Sequence, residues 1–78
     1  MQTTFATSSI YLAGFLKCRG MDFVGIQRTA QEPARFVFRE RDDRSALSDA
    51  FLHGREDQVG AREYMRTIRE LKSLLYDG

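Results

Sequence analysis

Residues that bind metals or cross-link chains are scarce in this sequence. Its 78 residues include one cysteine, Cys18, and one histidine, His53. A single cysteine cannot form an internal disulfide, which suits a reducing compartment. A structural zinc site needs four cysteine or histidine ligands, so this chain cannot supply one alone. We therefore expect no metal centre.

The motifs of phosphate binding, calcium binding and catalysis are missing as well. The six glycines are scattered singly, so no loop can present consecutive amides to a phosphate. Asp42, Asp43 and Asp49 lack the spacing and the closing glutamate of a calcium loop, and the first two are better explained as helix caps. Cys18 falls near the end of an apolar segment, where cysteine behaves as a small hydrophobe. The sequence therefore does not indicate a nucleophilic pair with His53. The sequence predicts no enzyme, no cofactor and no small-molecule substrate.

Long apolar runs and a large excess of one charge are also absent. The longest mainly apolar stretch, Ile10 to Leu16, is far shorter than the roughly 20 residues that cross a bilayer. No basic segment precedes it and no small-residue cleavage site follows it, so it is not a signal peptide. The net charge is +1, which gives no overall field toward nucleic acid or acidic membranes. We expect a cytoplasmic protein with no membrane partner.

Length and hydrophobic periodicity predict one small, compact α+β domain over residues 1–78. Apolar residues at helical spacing indicate helices over 8–19, 43–53 and 61–76. Period-two alternation indicates strands over 22–28 and 34–40. The predicted order is therefore α-β-β-α-α, in which the strands form an antiparallel two-stranded hairpin. Because two strands alone are only marginally stable, the hairpin must pack on the helices.

Alternation within the strands predicts which side chains face the core. Phe36 and Phe38 share one face of the second strand, and we expect both rings to be buried. In the first strand, Val24 and Ile26 share a face and Phe23 lies opposite. The opposite face of the second strand carries Arg35 and Arg39, which are costly to bury, so we expect that face to be exposed.

The helices have their own signals. The first helix is apolar on two sides, so we expect it to be buried on both. Gly14, in its middle, predicts a close approach by another backbone, and Gly20 marks its end. The predicted core positions of the later helices are Leu47, Ala50 and Phe51 in one and Tyr64, Ile68, Leu71 and Leu75 in the other.

Arginine supplies ten of the twelve cations, the others being Lys17 and Lys72. The planar guanidinium group of arginine can donate two hydrogen bonds to a carboxylate or phosphate group. The codon usage of a GC-rich genome would also explain the excess of arginine over lysine. Two groups are candidates for contact with nucleic acid or a protein partner. They are Arg35 and Arg39 beside Phe23 on the outer face of the hairpin, and Arg62, Arg66 and Arg69 opposite the apolar stripe of the last helix. Glu63 and Glu70 partly neutralise the helical group.

The hairpin also has two free edges, each a row of unpaired backbone groups available to another strand. The first helix needs more cover than two short elements provide. Both features favour a homo-oligomer, or a dedicated protein partner. We therefore expect a non-catalytic interaction module that self-associates, with nucleic-acid binding through an arginine face as the alternative.

The succession TSSIYLAGFLKCRGMDFVGI, RFVFRE, FLHG and REYMRTIRELKSLLY resembles a family of small bacterial and phage proteins. That family is catalogued only as a domain of unknown function, and the resemblance covers almost the whole chain. The chain departs from the family's pattern at Ser9 and Ala61, where an acid and a proline are common. The resemblance implies this layout and a bacterial or phage origin, and it adds no site. The matching positions are Gly20, Phe36, Phe38, Phe51, Gly54, Leu71, Lys72, Leu75 and Tyr76.

Overall fold

The secondary structure begins with a strand that the sequence patterns do not predict. The computed structural model of the chain describes residues 3–54 and 59–77. Its elements are β1 (Thr4–Thr7), α1 (Ile10–Cys18), β2 (Phe23–Gln27), β3 (Arg35–Arg39), α2 (Arg44–Leu52) and α3 (Ala61–Asp77). The α+β class is confirmed, but the order is β-α-β-β-α-α. The predicted α-β-β-α-α order is wrong because the four residues of β1, TFAT, do not alternate between apolar and polar.

The three strands form one antiparallel sheet in the order β1-β3-β2. β3 lies in the centre, and Phe38 pairs with Phe5 of β1 on one side and with Phe23 of β2 on the other. The prediction that the sheet has only two strands is therefore wrong. The hairpin exists, but β1 covers the edge of β3, and the sheet's free edges belong to β1 and β2.

A β-bulge in β2 changes which of its side chains face the core. The pairing register shifts between Phe23, which pairs with Phe38, and Gly25, which pairs with Val37. The extra residue is Val24, whose side chain is 57% exposed. Phe23 packs on the core, with its ring 5.4 Å from that of Phe38 in an edge-to-face contact. The prediction that Val24 shares a face with Ile26 is therefore wrong, because a bulge breaks the period of two.

Local capping sets the ends of α1. The Ser9 hydroxyl accepts a hydrogen bond from the Leu12 amide at 3.2 Å and so caps the first turn. At the other end Gly20 takes a φ of 91°, and the Met21 amide donates to the Leu16 carbonyl at 3.1 Å. This left-handed stop is the one predicted for Gly20.

The core lies on one side of the sheet, beneath all three helices. Its fully buried side chains come from α1, β3 and α3, and α2 adds Leu47 and Phe51. The Phe15 and Phe51 rings lie 5.7 Å apart. The predicted burial of both β3 rings is confirmed, because alternation in β3 has no bulge to interrupt it. The largest fully buried side chains are Phe15, Phe36, Phe38, Leu16 and Leu71.

α1 and α3 pack so closely at Gly14 that a larger residue there would force a neighbouring side chain to shift. A Cβ added to Gly14 would lie 2.6 Å from Ile68 Cδ1 and 3.2 Å from Tyr64 Cε1. The Tyr64 hydroxyl also donates to the Tyr11 carbonyl at 2.9 Å. The close packing predicted at Gly14 is thus present, but side chains of α3 make it, and the atoms nearest to Gly14 are not those of another backbone as predicted.

Candidate interaction surfaces

Two of the arginines satisfy carbonyl groups at the ends of helices. The Arg28 guanidinium donates to the carbonyls of Leu74 (3.2 Å) and Leu75 (2.7 Å) near the end of α3. The Arg41 guanidinium donates to the Arg19 carbonyl, at the end of α1, at 3.3 Å. Cations are favoured at these positions because the last carbonyls of a helix lack internal partners. These two arginines therefore stabilise the fold, because their guanidinium groups are bonded to carbonyls at the ends of helices.

A third arginine joins β1 to the turn after β3. Arg44 forms an ion pair with Glu40 at 3.1 Å, and its guanidinium lies 4.2 Å from the centre of the Phe5 ring. The hydrogen bond from Arg44 lowers the pKa of the Glu40 carboxyl below its ordinary value of 4.5. This side chain thereby stabilises the position of β1 beside β3.

Asp43 stands at the start of α2 but does not cap it through its side chain. Its carboxylate accepts two hydrogen bonds from Arg41, the shorter at 2.6 Å, and makes no cap hydrogen bond. The interaction with Arg41 lowers the pKa of Asp43 below 3.8 and raises that of Arg41. The expectation that Asp43 is a capping residue is therefore wrong for its side chain, because a nearby guanidinium competes for the carboxylate.

The five arginines predicted as contact residues, unlike Arg28, Arg41 and Arg44, have no carbonyl or carboxylate partner in the described part of the chain. All five are exposed, and none forms an ion pair with another residue in the ranges 3–54 and 59–77. The structure does not bring the two groups together: one lies on the sheet and the other on α3. The sheet group is Arg35 and Arg39, and the helix group is Arg62, Arg66 and Arg69.

The helix group lines an open groove of about 490 Å³ along the outward side of α3, together with Ala61 and Met65. The Met65 side chain is 57% exposed. The buried stripe that the sequence predicts for α3 is present on the other side, where Ile68 and Leu71 are buried and Tyr64 and Leu75 pack against the core. The outward side of this helix is thus free for a partner.

Acids and cations occupy different sectors of α3. At about 100° per residue, the four cations of α3 fall within a sector of roughly 120° around the helix axis. They are Arg62, Arg66, Arg69 and Lys72. Glu63 and Glu70 lie together on one flank of that sector. Neither glutamate forms an ion pair with the arginines three or four positions away in the described part of the chain. The partial neutralisation that the sequence suggests is a matter of proximity and not of contact.

The outer face of the sheet, opposite the helices, has a small apolar centre. Ala6, Val37 and Gly25 lie side by side on the three strands. Arg35 and Arg39 flank Val37 on this face, one on each side of the row, about 13 Å apart along β3. Phe23 is on the core face, so the predicted combination of an aromatic ring with Arg35 and Arg39 is wrong. The face therefore offers two cations without a ring on which bases could stack.

The free edge of β2 is bordered by a second groove. Its volume is about 380 Å³, and its lining includes Phe23, Val24, Ile26, Arg28 and Leu74. The Leu74 side chain is 48% exposed. Sequence periodicity places Leu74 beside the buried stripe of α3, but it cannot show that the end of α3 lies next to this strand. This groove is a candidate interaction site that the sequence does not indicate.

The candidate nucleophile and base have separate partners. The Cys18 thiol lies 3.5 Å from the Thr67 hydroxyl, between α1 and α3. The ring of His53 contacts the Asp49 carbonyl at 2.7 Å, at the exposed end of α2. His53 therefore satisfies a helix end, as its position beside Gly54 suggests.

Comparison with known proteins gives one finding about the family. Residues 2–77 match the model of a family described as a domain of unknown function, DUF5659. No curated protein and no solved structure matches the chain. Within residues 3–54 and 59–77, none of the helices combines the length and the hydropathy needed to cross a membrane. The bacterial or phage origin implied by the resemblance stays a prediction.

Proposed function

Since this chain belongs to the DUF5659 family, whose function is unknown, we propose a role from its own surface. The chain is a non-catalytic interaction module that self-associates through the free edge of β2. A cytoplasmic location, suited to its single thiol, is part of the proposal. The observation that carries it is the apolar groove directly beside an unpaired strand edge.

The directions in which the backbone N–H and C=O groups of the strands point supply the first argument. The Glu40 amide donates to the Thr3 carbonyl and the Arg39 amide to the Asp22 carbonyl. Because the direction of backbone groups alternates along β3, its odd-numbered residues point toward β2. Ile26 lies opposite Phe36, so its amide and carbonyl point away from the sheet. They are available to a fourth strand.

Exposed apolar side chains favour this edge over that of β1. Val24 and Leu74 are 57% and 48% exposed, and both line the groove beside Ile26. A strand added at this edge would bury the Val24 and Leu74 side chains and form hydrogen bonds with the backbone of β2. Burial of side chains in pockets and backbone hydrogen bonding together drive β-strand addition. The bulge shortens the stretch that can pair, so we expect a weak, concentration-dependent interface.

A second copy of the chain fits this edge. Antiparallel pairing centred on Ile26 would place each Ile26 opposite its counterpart and join two three-stranded sheets into one of six strands. The charge of Arg28 is directed to the carbonyls at the end of α3, so two copies would bring little repulsion. Stacking of two outer sheet faces is disfavoured, because it would place the unpaired Arg35 and Arg39 of both copies together.

Sedimentation velocity across a series from about 10 to 500 µM tests the proposal. We expect the parent to shift from monomer to dimer within this series, as befits a small interface. Val24→Lys should keep the protein monomeric, because a lysine on a strand edge opposes pairing. Leu52→Lys is the matched control, since Leu52 is 75% exposed at the end of α2; it should dimerise like the parent.

Two results would contradict the proposal. One is a parent that stays monomeric over the whole series. The other is a parent that dimerises but responds equally to Val24→Lys and Leu52→Lys, which would move the interface away from β2. Circular dichroism of each variant shows whether the fold is retained.

A further inference from the structure

The outward side of α3 carries a row of cations that self-association through β2 leaves unused. We call it the α3 basic face and define it by Arg62, Met65, Arg66, Arg69, Lys72 and Tyr76. All six side chains are exposed. We propose that this face binds the phosphodiester backbone of a nucleic acid, a function independent of self-association.

The spacing of the cations is the first support. Successive cations from Arg62 to Lys72 are four, three and three residues apart. At 1.5 Å per residue, the row is about 15 Å long. That length matches about four nucleotides along one strand of a duplex, at 3.4 Å each. Each cation can therefore meet a separate phosphate.

The electrostatics of the face are the second support. Its four cations form no ion pair with any residue in the described ranges, and the glutamates of α3 lie on the flank. Arg28, Arg41 and Arg44, in contrast, are bound to carbonyls or carboxylates of the fold. Four cations without an ion pair in the described ranges thus lie on one side of α3, where one anionic polymer could contact all of them despite a net charge of only +1.

The two remaining side chains favour nucleic acid over an acidic protein. Tyr76 is 79% exposed and follows the cations along the helix. Met65 is 57% exposed between them. An aromatic ring beside a row of arginines can stack on a base while the cations hold the backbone. A helix of 10–12 Å diameter also fits a major groove about 12 Å wide.

Fluorescence anisotropy with labelled 20-nucleotide single strands and 20-base-pair duplexes tests the proposal at 50 mM salt. The variant R62Q/R66Q/R69Q should bind at least tenfold more weakly than the parent. R35Q/R39Q is the control on the sheet and should bind within about twofold. For a duplex, the slope of log K against log salt should be about −3 to −4 for four phosphates, and K72Q should reduce it by about one. Y76A should weaken binding of single strands more than of duplexes.

Three outcomes would overturn the proposal. The first is no binding by the parent at about 100 µM protein. The second is an equal loss in the helix and sheet variants, which would indicate general charge attraction. The third is a polyglutamate peptide of the same charge that competes as well as the oligonucleotide, which would assign the face to an acidic protein. Thermal melts of the variants establish that each is folded.

Discussion

Replacing Gly14 by alanine tests the α1–α3 contact with a single methyl group. The added Cβ would lie 2.6 Å from Ile68 Cδ1 and 3.2 Å from Tyr64 Cε1, whereas carbon atoms pack at about 3.5–4.0 Å. Ile68 is 8% exposed, so its end has little free space to enter. The two helices must separate, or the Ile68 side chain must change its conformation.

The size of the effect follows from two opposing contributions. Extra volume in a packed interior costs about 1–3 kcal/mol. Alanine in place of glycine returns up to about 1 kcal/mol of helix propensity. We therefore expect Gly14→Ala to lower the free energy of unfolding by about 1 kcal/mol, which lowers the melting temperature of so small a domain by about 4–8 °C.

A double-mutant cycle locates the clash. Ile68→Val removes the Cδ1 atom and alone should cost about 0.5–1.5 kcal/mol. In the double variant the alanine methyl occupies the space so released, so urea unfolding should give a smaller loss than the sum of the two singles, by about 0.5 kcal/mol or more. A Gly14→Ala protein as stable as the parent, or strict additivity in the cycle, would refute the reasoning.

Two further predictions concern the core and the acid response. Phe38→Ala should lower the free energy of unfolding by about 3–5 kcal/mol because the ring is fully buried. Arg35→Ala should lower it by less than about 0.5 kcal/mol because this side chain is exposed. If thermal melts show that Arg35→Ala is the less stable variant, the two faces of β3 have been assigned the wrong way round. Hydrogen bonds from neighbouring arginines lower the pKa values of Glu40 and Asp43 from 4.5 and 3.8. Their contribution to stability is thus present above those ordinary values and is lost as the pH falls through the lowered ones. Melting temperatures from pH 7 to pH 2 should fall less steeply for E40Q/D43N than for the parent, and identical slopes would show that these carboxyls do not matter.

The parts of the fold that depend on local spacing could be predicted from the sequence. The buried positions of α3 recur at helical intervals, and Gly20 ends α1 within the same few residues that form it. Alternation in β3 correctly placed Phe36 and Phe38 in the core. Each of these features is determined by neighbours in the chain, so a periodic pattern contains the necessary information.

The parts that depend on distant partners could not be predicted. β1 is recognisable only by its pairing with β3. Val24 is displaced by a bulge whose one sign in the sequence is Gly25, and a glycine inside a strand does not by itself determine the register. Arg28 bonds to carbonyls at the far end of the chain, so its role differs from that of Arg62 although the residue type is the same. Leu74 likewise lines the candidate groove beside β2 only because the end of α3 lies next to that strand in the fold. Sequence periodicity cannot identify these contacts because their geometry arises only after the chain has folded.

The position of β1 beside β3 also has a consequence during translation. Residues 8–34, 27 in number, separate β1 from β3, so the first strand is synthesised well before the strand that it pairs with. At 5–20 residues per second, the delay is about 1.4–5.4 s. The β2–β3 hairpin, in contrast, can close within microseconds of its synthesis. The nascent chain therefore carries an unpaired strand containing Phe5 for seconds, and the sheet is completed from its oldest segment last.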